Sequence, residues 1–515
     1  MSTPSSGSGL KTFTAVIAVI FGLVLLIGGI YLAVLGGSWY YIIAGLLFIA
    51  TAVLLQKLKS TALIVYALLV LGTVVWGLWE VGSDFFALAP RLDILGLFGL
   101  WLLIPAVTRG FDNVKSAKLV LTGSLAITIA VMIYAVFNDP QEIRGELSSK
   151  QPATAQSIPG VADGDWPAYG RTQSGLRYSP LTQINSENVK DLKVAWTYNT
   201  GDFKTENDSG ETTNQVTPIK VGDNMYICTT HQKLVALDPA TGKAKWTFDP
   251  KLKADNTFQH LTCRGVSYYD ANNTAGFEAS LQHKKSSSAL CPRKVILPVN
   301  DGRLVAINAD TGERCTDFGK NGEVDLQKDM PFPYPGGYIP TSPPVVTGTT
   351  IIIAGSTTDN YSTEEPSGVI RGYDVNTGAL LWVFDTGAED PNAIPAPGQK
   401  YVQNSPNAWA PLAYDAALDM VYIPTGVGTP DIWGGNRTEL HERYANSMLA
   451  LNASTGKLVW NFQTTHHDLW DMDVPSQPTL TDIKDKSGKM VPAIYVLTKT
   501  GNAFVLDRRT GAAIV

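Results

Sequence analysis

A short pattern that recurs five times between residues 235 and 511 limits the possible folds more than any other feature of the sequence. Each copy is an apolar run that ends near an Asp or Asn and closes with Thr-Gly. The copies are VALDPATG (235–242), VAINADTG (305–312), GYDVNTG (372–378), LALNASTG (449–456) and FVLDRRTG (504–511). Five matched copies argue against a chance set of hairpins and indicate one repeated structural unit.

The physics of the pattern predicts an all-β repeat. An apolar run before Asp or Asn is typical of a strand, and Thr-Gly predicts a tight turn in which glycine takes a positive φ. Trp246, Trp382 and Trp460 follow the turns, and we expect them to pack between neighbouring units. Successive copies lie roughly 55–80 residues apart. That is enough for a four-stranded sheet and its loops, so the pattern predicts a β-propeller.

The end of the sequence bears on closure of this propeller. The chain stops at Val515, just before the position where the fifth copy would carry its Trp. A propeller must close, because open strand edges are unstable and prone to aggregation. We therefore expect residues to be missing from the C-terminus and the sequence to be a fragment of a longer protein.

The N-terminal third differs sharply from the repeats, because it is almost free of charge. Five apolar stretches lie at residues 13–35, 40–55, 63–79, 92–107 and 119–137. With their flanking Gly and Trp they approach the ~20 residues that a helix needs to cross a bilayer. A signal peptide would have one such stretch, and a soluble helix would show a polar stripe. Residues 1–137 are therefore predicted to be a transmembrane anchor of five helices.

Basic residues in alternate loops predict the orientation of this anchor. Lys11, Lys57, Lys59, Arg109, Lys115 and Lys118 flank one end of the spans. The positive-inside rule places that side in the cytoplasm, and five crossings then place everything after residue 138 outside. Near the outer face lie four charges, which form either a quinone or lipid site or a set of ordinary solvated loop charges. These are Glu80, Asp84, Arg91 and Asp93.

Composition bears on the remaining domain boundaries and on the cysteines. Residues 138–164 are polar and hold three prolines, so they are interpreted as a linker before a propeller at 165–515. The formal charge of −6 argues against a nucleic-acid partner. The four cysteines form no CxxC pair, and we expect buried thiols, with a Cys291–Cys315 disulfide as the alternative. They are Cys228, Cys263, Cys291 and Cys315.

Five longer motifs carry a resemblance to a known family. They are DWPAYG (165–170), RYSPL (177–181), FQHLTCRG (258–265), TPDIWGG (429–435) and HHDLWDMD (466–473). On these motifs the whole chain resembles the membrane-bound quinoprotein glucose dehydrogenases, which depend on pyrroloquinoline quinone (PQQ). The resemblance implies five membrane helices, a linker and an eight-bladed propeller, of which this chain holds only part.

The resemblance also implies a base and a metal. Oxidising an alcohol needs a base for the hydroxyl proton, an acceptor for the hydride, and a positive charge that polarises the acceptor. Asp471 matches the family's base, and Asp359, Thr429 and Asp471 are the implied ligands of Ca²⁺ or Mg²⁺. Related methanol dehydrogenases have Asn where Thr429 stands, which gives Thr429 the alternative role of holding the cofactor. His466 and His467 would face opposite ways on a strand, so a zinc site there is not expected.

The cofactor is flat and carries three carboxylates, so the resemblance implies a platform and cations around it. Trp409 matches the residue on which the ring lies. No adjacent cysteines exist to cover the other face, and the resemblance puts His260 there. The implied cofactor-binding residues are His260, Arg264, Asp359, Asn360, Trp409, Thr429 and Lys499.

The function that the resemblance implies is oxidation of D-glucose, or a related aldose, to glucono-1,5-lactone with PQQ. Electrons would pass to ubiquinone in the bacterial inner membrane, and the catalytic domain would face the periplasm. A quinate, shikimate or polyol dehydrogenase has the same layout and is the nearest alternative. A non-catalytic propeller scaffold is a third alternative, although it would lack Asp359, Trp409, Asp471 and Lys499.

Overall fold

The computed structural model describes residues 7–138, 157–158, 160–208, 210–252, 257–271, 291–484 and 487–514. The chain divides into two compact units, Met1–Pro152 and Ala153–Val515. Most of the predicted linker, residues 138–164, lies outside the described residues.

The first unit is helical. Its helices are α1 (Gly7–Val34), α2 (Tyr40–Gln56), α3 (Thr61–Val81), α4 (Phe85–Leu102), α5 (Pro105–Thr108) and α6 (Val114–Phe137). Among the described residues, α1, α3, α4 and α6 are long and apolar enough to cross a membrane. Helix α2 is apolar but has only 17 residues. Four of the predicted spans are thus supported by length and composition, and the count of five stays a prediction.

Small residues let α1 and α2 approach closely. A Cβ built on Gly45 would lie 2.6 Å from the backbone nitrogen of Leu26 and 2.7 Å from the carbonyl oxygen of Gly22. Only glycine fits at such a contact, which is a common way for apolar helices to associate. Buried polar groups also join helices, since the Tyr66 hydroxyl donates to the carbonyl of Leu95 at 2.7 Å.

The predicted bounds of the fourth span, 92–107, were wrong. Helix α4 begins at Phe85 because the Asp84 side chain accepts a hydrogen bond from the Ala87 N–H at 3.1 Å and caps the helix. It ends at Leu102, and Pro105 starts the separate turn α5. Glu80 and Arg91 therefore lie on helices α3 and α4 rather than in a loop, and their side chains form an ion pair at 3.0 Å.

The second unit is built from β-strands. Two pairs of short strands stand apart from the larger sheets: β1 (Glu211–Asn214) with β6 (His260–Cys263), parallel, and β11 (Tyr338–Ile339) with β14 (Ser356–Thr357), antiparallel. One short helix, α7 (Glu439–Arg443), precedes β19.

Five antiparallel sheets follow one another along the chain, and we number them sheet 1 to sheet 5. Sheet 1 is β2 (Ile219–Val221), β3 (Asn224–Cys228), β4 (Leu234–Leu237) and β5 (Ala244–Phe248). Sheet 2 is β7 (Ser267–Asp270), β8 (Arg293–Val299), β9 (Arg303–Asn308) and β10 (Glu323–Asp325). Sheet 3 is β12 (Val345–Val346), β13 (Thr350–Ile353), β15 (Ile370–Asp374) and β16 (Leu380–Phe384). Sheet 4 is β17 (Ala413–Asp415), β18 (Met420–Pro424), β19 (Ser447–Asn452) and β20 (Leu458–Gln463). Sheet 5 is β21 (Thr479–Lys484), β22 (Met490–Leu497) and β23 (Ala503–Asp507).

The repeated pattern forms the turn that follows the third strand of each sheet, as predicted. In sheet 1 the Asp238 carboxylate accepts hydrogen bonds from the Ala240 and Thr241 N–H groups at 2.9 and 2.8 Å. The N–H of Gly242 then returns to the carbonyl of Asp238 at 2.8 Å, with φ of 68° at the glycine. Asp or Asn is therefore required to fold the turn back on itself, and glycine tolerates the left-handed conformation.

The predicted packing of Trp between units is confirmed, and its partner is the glycine of the next turn. A Cβ on Gly456, in sheet 4, would lie 2.4 Å from the indole of Trp382, in sheet 3. The same indole donates from Nε1 to the carbonyl of Ala453 at 3.0 Å. Three further pairs repeat this contact: Trp196 with Gly242, Trp246 with Gly312 and Trp460 with Gly511.

The expectation of free thiols was wrong. Cys228, at the end of β3, forms a disulfide with Cys263, at the end of β6, and their Cα atoms are 6.1 Å apart. Cys291 and Cys315 form the second disulfide, which was the stated alternative. Pairing of β6 with the short strand β1 brings Cys263 beside Cys228, and no spacing in the sequence indicates it.

The Trp–Gly contact predicts a contrast between two glycines with positive φ. Gly456→Ala places a methyl group inside the Trp382 indole, whereas Gly488→Ala, at φ 84°, meets nothing within 4 Å. Both substitutions carry the backbone cost of about 1–2 kcal/mol. We expect Gly456→Ala to add about 1–3 kcal/mol of overpacking. Thermal unfolding of the two variants measures the difference, and equal losses of Tm would contradict the tight contact between Trp382 and Gly456.

Candidate active site

One cavity of about 210 Å³ opens between loops from several sheets of the second unit. Six of the eight residues that the resemblance implied for the cofactor, metal and base line it. The lining residues are Glu211, Thr213, Gln215, His260, Thr262, Arg264, Ile339, Thr341, Ser356, Asp359, Trp409, Asp471, Asp473 and Lys499. The cavity mixes carboxylates, cations and a flat aromatic ring in one small space.

His260 lies between two carboxylates at one side of the cavity. Its Nε2 is 3.3 Å from Oδ2 of Asp359, and its Nδ1 is 3.3 Å from Oε2 of Glu211. The parallel register of β1 and β6 pairs Glu211 with His260 directly. The hydrogen bond with Asp359 outweighs the opposing effect of burial and raises the pKa of His260, which favours a charged imidazolium.

Trp409 provides the flat ring of the cavity, and its orientation is fixed at both ends. Its Nε1 donates to Oδ2 of Asp473 at 2.8 Å, and its carbonyl accepts from the Ser342 hydroxyl at 2.6 Å. The Arg264 guanidinium lies 5.1 Å from the ring centroid and the Lys499 ammonium 5.7 Å, both within cation–π range. The ring therefore sits within the positive part of the cavity.

Lys499 joins two carboxylates of one loop. Its Nζ lies 2.9 Å from Oδ2 of Asp471 and 3.4 Å from Oδ2 of Asp473. Asp473 is buried and also accepts from the Val427 N–H at 3.0 Å. Burial raises the pKa of Asp473, while Lys499 and Trp409 act against the rise. Burial lowers the pKa of Lys499, but the two carboxylates outweigh it and raise that pKa overall.

Asp471 stands in a strained turn rather than in a strand. Its φ is 58°, a left-handed conformation that is unfavourable for a residue with a Cβ. The buried Asp468 carboxylate holds this turn by accepting from the N–H groups of Trp470 and Met472 at 2.8 and 2.5 Å. The picture of His466 and His467 on a strand was wrong, since both precede this turn in a bend.

Two residues that the resemblance implied do not line the cavity. Asn360 instead accepts from the Ile432 N–H at 3.2 Å and donates to Asp431 at 3.4 Å. Thr429 is buried, its carbonyl accepts from the Asn404 amide at 2.8 Å, and its hydroxyl has no partner among the described residues. Their roles stay predictions.

Three carboxylates of the site were missed by sequence reasoning. Asp473 is two residues from Asp471 in the same motif, and this proximity was the one available signal. Asp431 lies in the TPDIWGG motif, and its pKa is raised by burial and then by the charge of Asp359, which places the two groups together. Glu211 gave no signal, since only the pairing of β1 with β6 brings it to His260.

The chain is similar to known proteins over most of its length. Residues 166–515 match the sequence profile of the PQQ glucose/ethanol/alcohol dehydrogenase β-propeller domain. The chain belongs to this family. It is 73% identical over 515 residues to quinoprotein glucose dehydrogenase A of Acinetobacter calcoaceticus, covering 100% of this chain and 64% of that protein. It is 58% identical to quinoprotein glucose dehydrogenase of Escherichia coli, covering 98% of this chain and 63% of that protein.

A solved structure also shares the fold of this PQQ propeller domain. The quinohemoprotein alcohol dehydrogenase of Comamonas testosteroni superposes with a TM-score of 0.52 at 26% identity, over 70% of this chain and 51% of its own. The chain thus spans about two thirds of the length of the glucose dehydrogenases it matches and about half of this neighbour. Eight blades remain a prediction, because the described residues of this chain build five sheets of three or four strands.

The cavity contains a flat ring and two cations of the kind that PQQ requires. A flat cofactor needs a flat surface, which Trp409 supplies, and its carboxylates need cations, which Arg264 and Lys499 supply. The Arg264 guanidinium also donates to the Thr341 hydroxyl, and this bond holds it at the cavity wall. When bound, PQQ would contribute the two-electron acceptor that no side chain provides.

The fit to a divalent cation is partial. Asp359 and Asp471 line the cavity, and hard cations prefer such oxygens. No group of three His, Cys, Asp or Glu side chains among the described residues is close enough to hold a metal alone. Mg²⁺ is often held by one or two carboxylates together with water and bound molecules. A cation here would therefore need ligands besides these two carboxylates.

The pairing of Lys499 with Asp473 predicts a pH-dependent loss of stability in Lys499→Met. The pKa of Asp473 is raised in the folded protein, so protonated Asp473 favours folding. The contribution of Asp473 to stability therefore becomes less favourable as pH rises through that pKa. In the wild-type protein Lys499 lowers the pKa of Asp473. Removing Lys499 therefore raises this pKa further and strengthens the effect. We expect the Tm deficit of Lys499→Met to grow between about pH 5 and about pH 8.

Lys220→Met is the matched control for this prediction. The Lys220 side chain has the same exposure of 30% as Lys499 and pairs with Asp165 at 2.8 Å. No comparable growth of the deficit is expected there. A deficit in Lys499→Met that stays constant or shrinks towards pH 8 would contradict the assigned coupling.

Proposed function

We propose that the protein is a membrane-bound quinoprotein dehydrogenase that oxidises D-glucose, or a related aldose, to glucono-1,5-lactone with PQQ. The observation that carries the proposal is one cavity that combines Trp409, two cations and the Asp471 carboxylate. The names of the matched relatives support glucose as the substrate, since both are quinoprotein glucose dehydrogenases.

Asp471 is the proposed base. Its carboxylate faces the cavity and lies 2.9 Å from the Lys499 ammonium. It would take the proton of the anomeric hydroxyl while the C1 hydride leaves towards the bound cofactor. The C1–O bond then becomes the carbonyl of the lactone. Lys499 would hold Asp471 in place through the ion pair.

The other residues bind and orient. Trp409 would support the flat cofactor, with His260 at its second face, and Arg264 would neutralise a carboxylate. Asp359, Asp471 and Thr429 are the proposed surroundings of Ca²⁺ or Mg²⁺. Neither Thr429 nor Asp431 lines the cavity, although Asp431 is a buried carboxylate close to Asp359.

The first unit supports a proposal about location. Five membrane helices within residues 1–137, with the N-terminus in the cytoplasm, would place residues 165–515 in the periplasm. Four long apolar helices support the anchor, and the basic loops support its direction. Two disulfides suit an oxidising compartment. We propose ubiquinone of the inner membrane as the electron acceptor and an eight-bladed propeller as the full domain.

Asp471→Asn tests the base and the reaction class together. The amide keeps the size of the side chain but cannot accept the proton, so we expect PQQ-dependent glucose oxidation to fall about 10²–10⁴-fold. The assay is dye-linked oxidation by the gene product in membranes, with PQQ and Mg²⁺ added. Binding of PQQ, followed by quenching of tryptophan fluorescence, should change by less than about threefold, because Trp409 and Arg264 remain.

Asp482→Asn is the matched control, and other substrates separate the alternatives. Asp482 is also half exposed and pairs with Arg508 at 2.7 Å, on strand β21 away from the cavity. It should keep wild-type turnover. Quinate, shikimate and glycerol are assayed beside glucose. Activity on only one of these would make that compound the substrate in place of glucose. If no substrate is oxidised in a PQQ-dependent reaction, the scaffold is favoured.

A further inference from the structure

Arg437 connects two loops that carry acidic residues of the candidate site. We define them as the Asp431 loop (residues 429–433) and the Asp471 loop (residues 466–473). The Arg437 side chain is 2% exposed. Its Nη2 donates to the carbonyls of Pro430 and Asp431 at 3.1 and 2.6 Å, and its Nη1 donates to the carbonyl of Asp468 at 2.5 Å. One guanidinium therefore binds three carbonyls from two loops.

The Asp471 loop depends on a second buried group that meets Arg437 at the same place. The carboxylate of Asp468, whose carbonyl Arg437 binds, accepts from Trp470 and Met472 in the loop and from the Asn446 amide at 2.8 Å. These contacts fix the backbone on both sides of the strained Asp471. The position of Asp471 is therefore set by the place where Asp468 is anchored.

The Asp431 loop is anchored on its other side to the wall of the cavity. Asn360, the neighbour of Asp359, binds the Ile432 N–H and the Asp431 carboxylate. Asp359 itself lines the cavity. Arg437 thus completes a path from the Asp359 side of the cavity, through the Asp431 loop, to the Asp471 side.

The electrostatic setting suits arginine at this position. Glu442 lies 3.7 Å from Nη1 of Arg437 and 3.0 Å from Nδ1 of His467, so the buried charge has a carboxylate partner that also contacts the Asp471 loop. A planar guanidinium reaches three acceptors in fixed directions. A lysine ammonium is a single point charge on a flexible stem, and it cannot reproduce the fork.

We propose that Arg437 is a positioning residue that sets the spacing of the Asp431 and Asp471 loops and so holds the Asp471 carboxylate against the substrate hydroxyl. The effect on turnover rests on the proposed function, whereas the coupling of the two loops does not.

Hydrogen–deuterium exchange of the cofactor-free gene product tests the coupling. In Arg437→Lys we expect exchange to speed up by about tenfold or more in both loops, including the amides of Trp470 and Met472. Arg443→Lys is the matched control on α7. The Arg443 guanidinium binds the Ala388 carbonyl and lies 4.6 Å from the Tyr444 ring, so it contacts neither loop. Exchange in the two loops should stay at wild-type rates in that variant.

Turnover per bound PQQ tests the consequence. A small displacement of Asp471 should lower kcat for glucose about 10–100-fold in Arg437→Lys, with the affinity for PQQ changed less than about threefold. Arg443→Lys should stay within about twofold. If Arg437→Lys does not accumulate, Asp468→Asn replaces it. Its amide cannot accept both N–H groups, so exchange should rise in the Asp471 loop and turnover per bound PQQ should fall.

Three outcomes would overturn the proposal: unchanged exchange in either loop of Arg437→Lys, faster exchange with wild-type turnover per bound PQQ, or equal effects in Arg443→Lys. A wild-type protein that shows no PQQ-dependent oxidation would refute the proposed function instead. The exchange measurement would still decide whether Arg437 couples the loops.

Discussion

The second unit depends on one repeated contact, an indole lying directly over the glycine of the next turn. Because glycine has no Cβ, Trp382 can approach the backbone of Gly456 closely enough to join sheets 3 and 4. The indole N–H then binds a carbonyl of the same turn. Three such contacts join successive sheets and fix their spacing, namely Trp246 with Gly312, Trp382 with Gly456 and Trp460 with Gly511. The loops and short strands that line the cavity inherit that spacing.

Each group at the cavity comes from a different part of this series. His260 precedes sheet 2, Asp359 lies within sheet 3, and Trp409 precedes sheet 4. Asp471 follows sheet 4, and Lys499 lies in the last hairpin of sheet 5. Since no two of these residues are close in sequence, their geometry depends on how the sheets are spaced. A substitution at a sheet interface would therefore disturb the site without touching it.

Local chemistry explains what could be predicted from the sequence. The Thr-Gly turn and the Trp contact follow from nearby residues, so the fold class could be predicted from the sequence. Six of eight site residues also meet at the cavity, and they were identified by resemblance rather than by spacing. The disulfide of Cys228 with Cys263 and the approach of Glu211 to His260 both depend on the pairing of β1 with β6. Four-residue parallel strands leave too short a pattern to read. Hydropathy likewise placed the start of the fourth helix too late, because Pro90 and Arg91 interrupt the apolar run inside a helix that begins at Phe85.

The charge balance of the cavity bears on how an anionic cofactor could enter it. Glu211, Asp359, Asp471 and Asp473 line the wall, whereas Arg264 and Lys499 are the permanent cations there. Lys499 is already shared between two carboxylates, which leaves Arg264 with the least neutralised charge. A cofactor with three carboxylates would meet net repulsion unless a further positive charge were present. A divalent cation beside Asp359 would supply it, and a protonated His260 would add to it. On this argument the metal would assist binding of the cofactor as well as polarise it, and removing the metal would weaken PQQ affinity before any effect on chemistry could be measured.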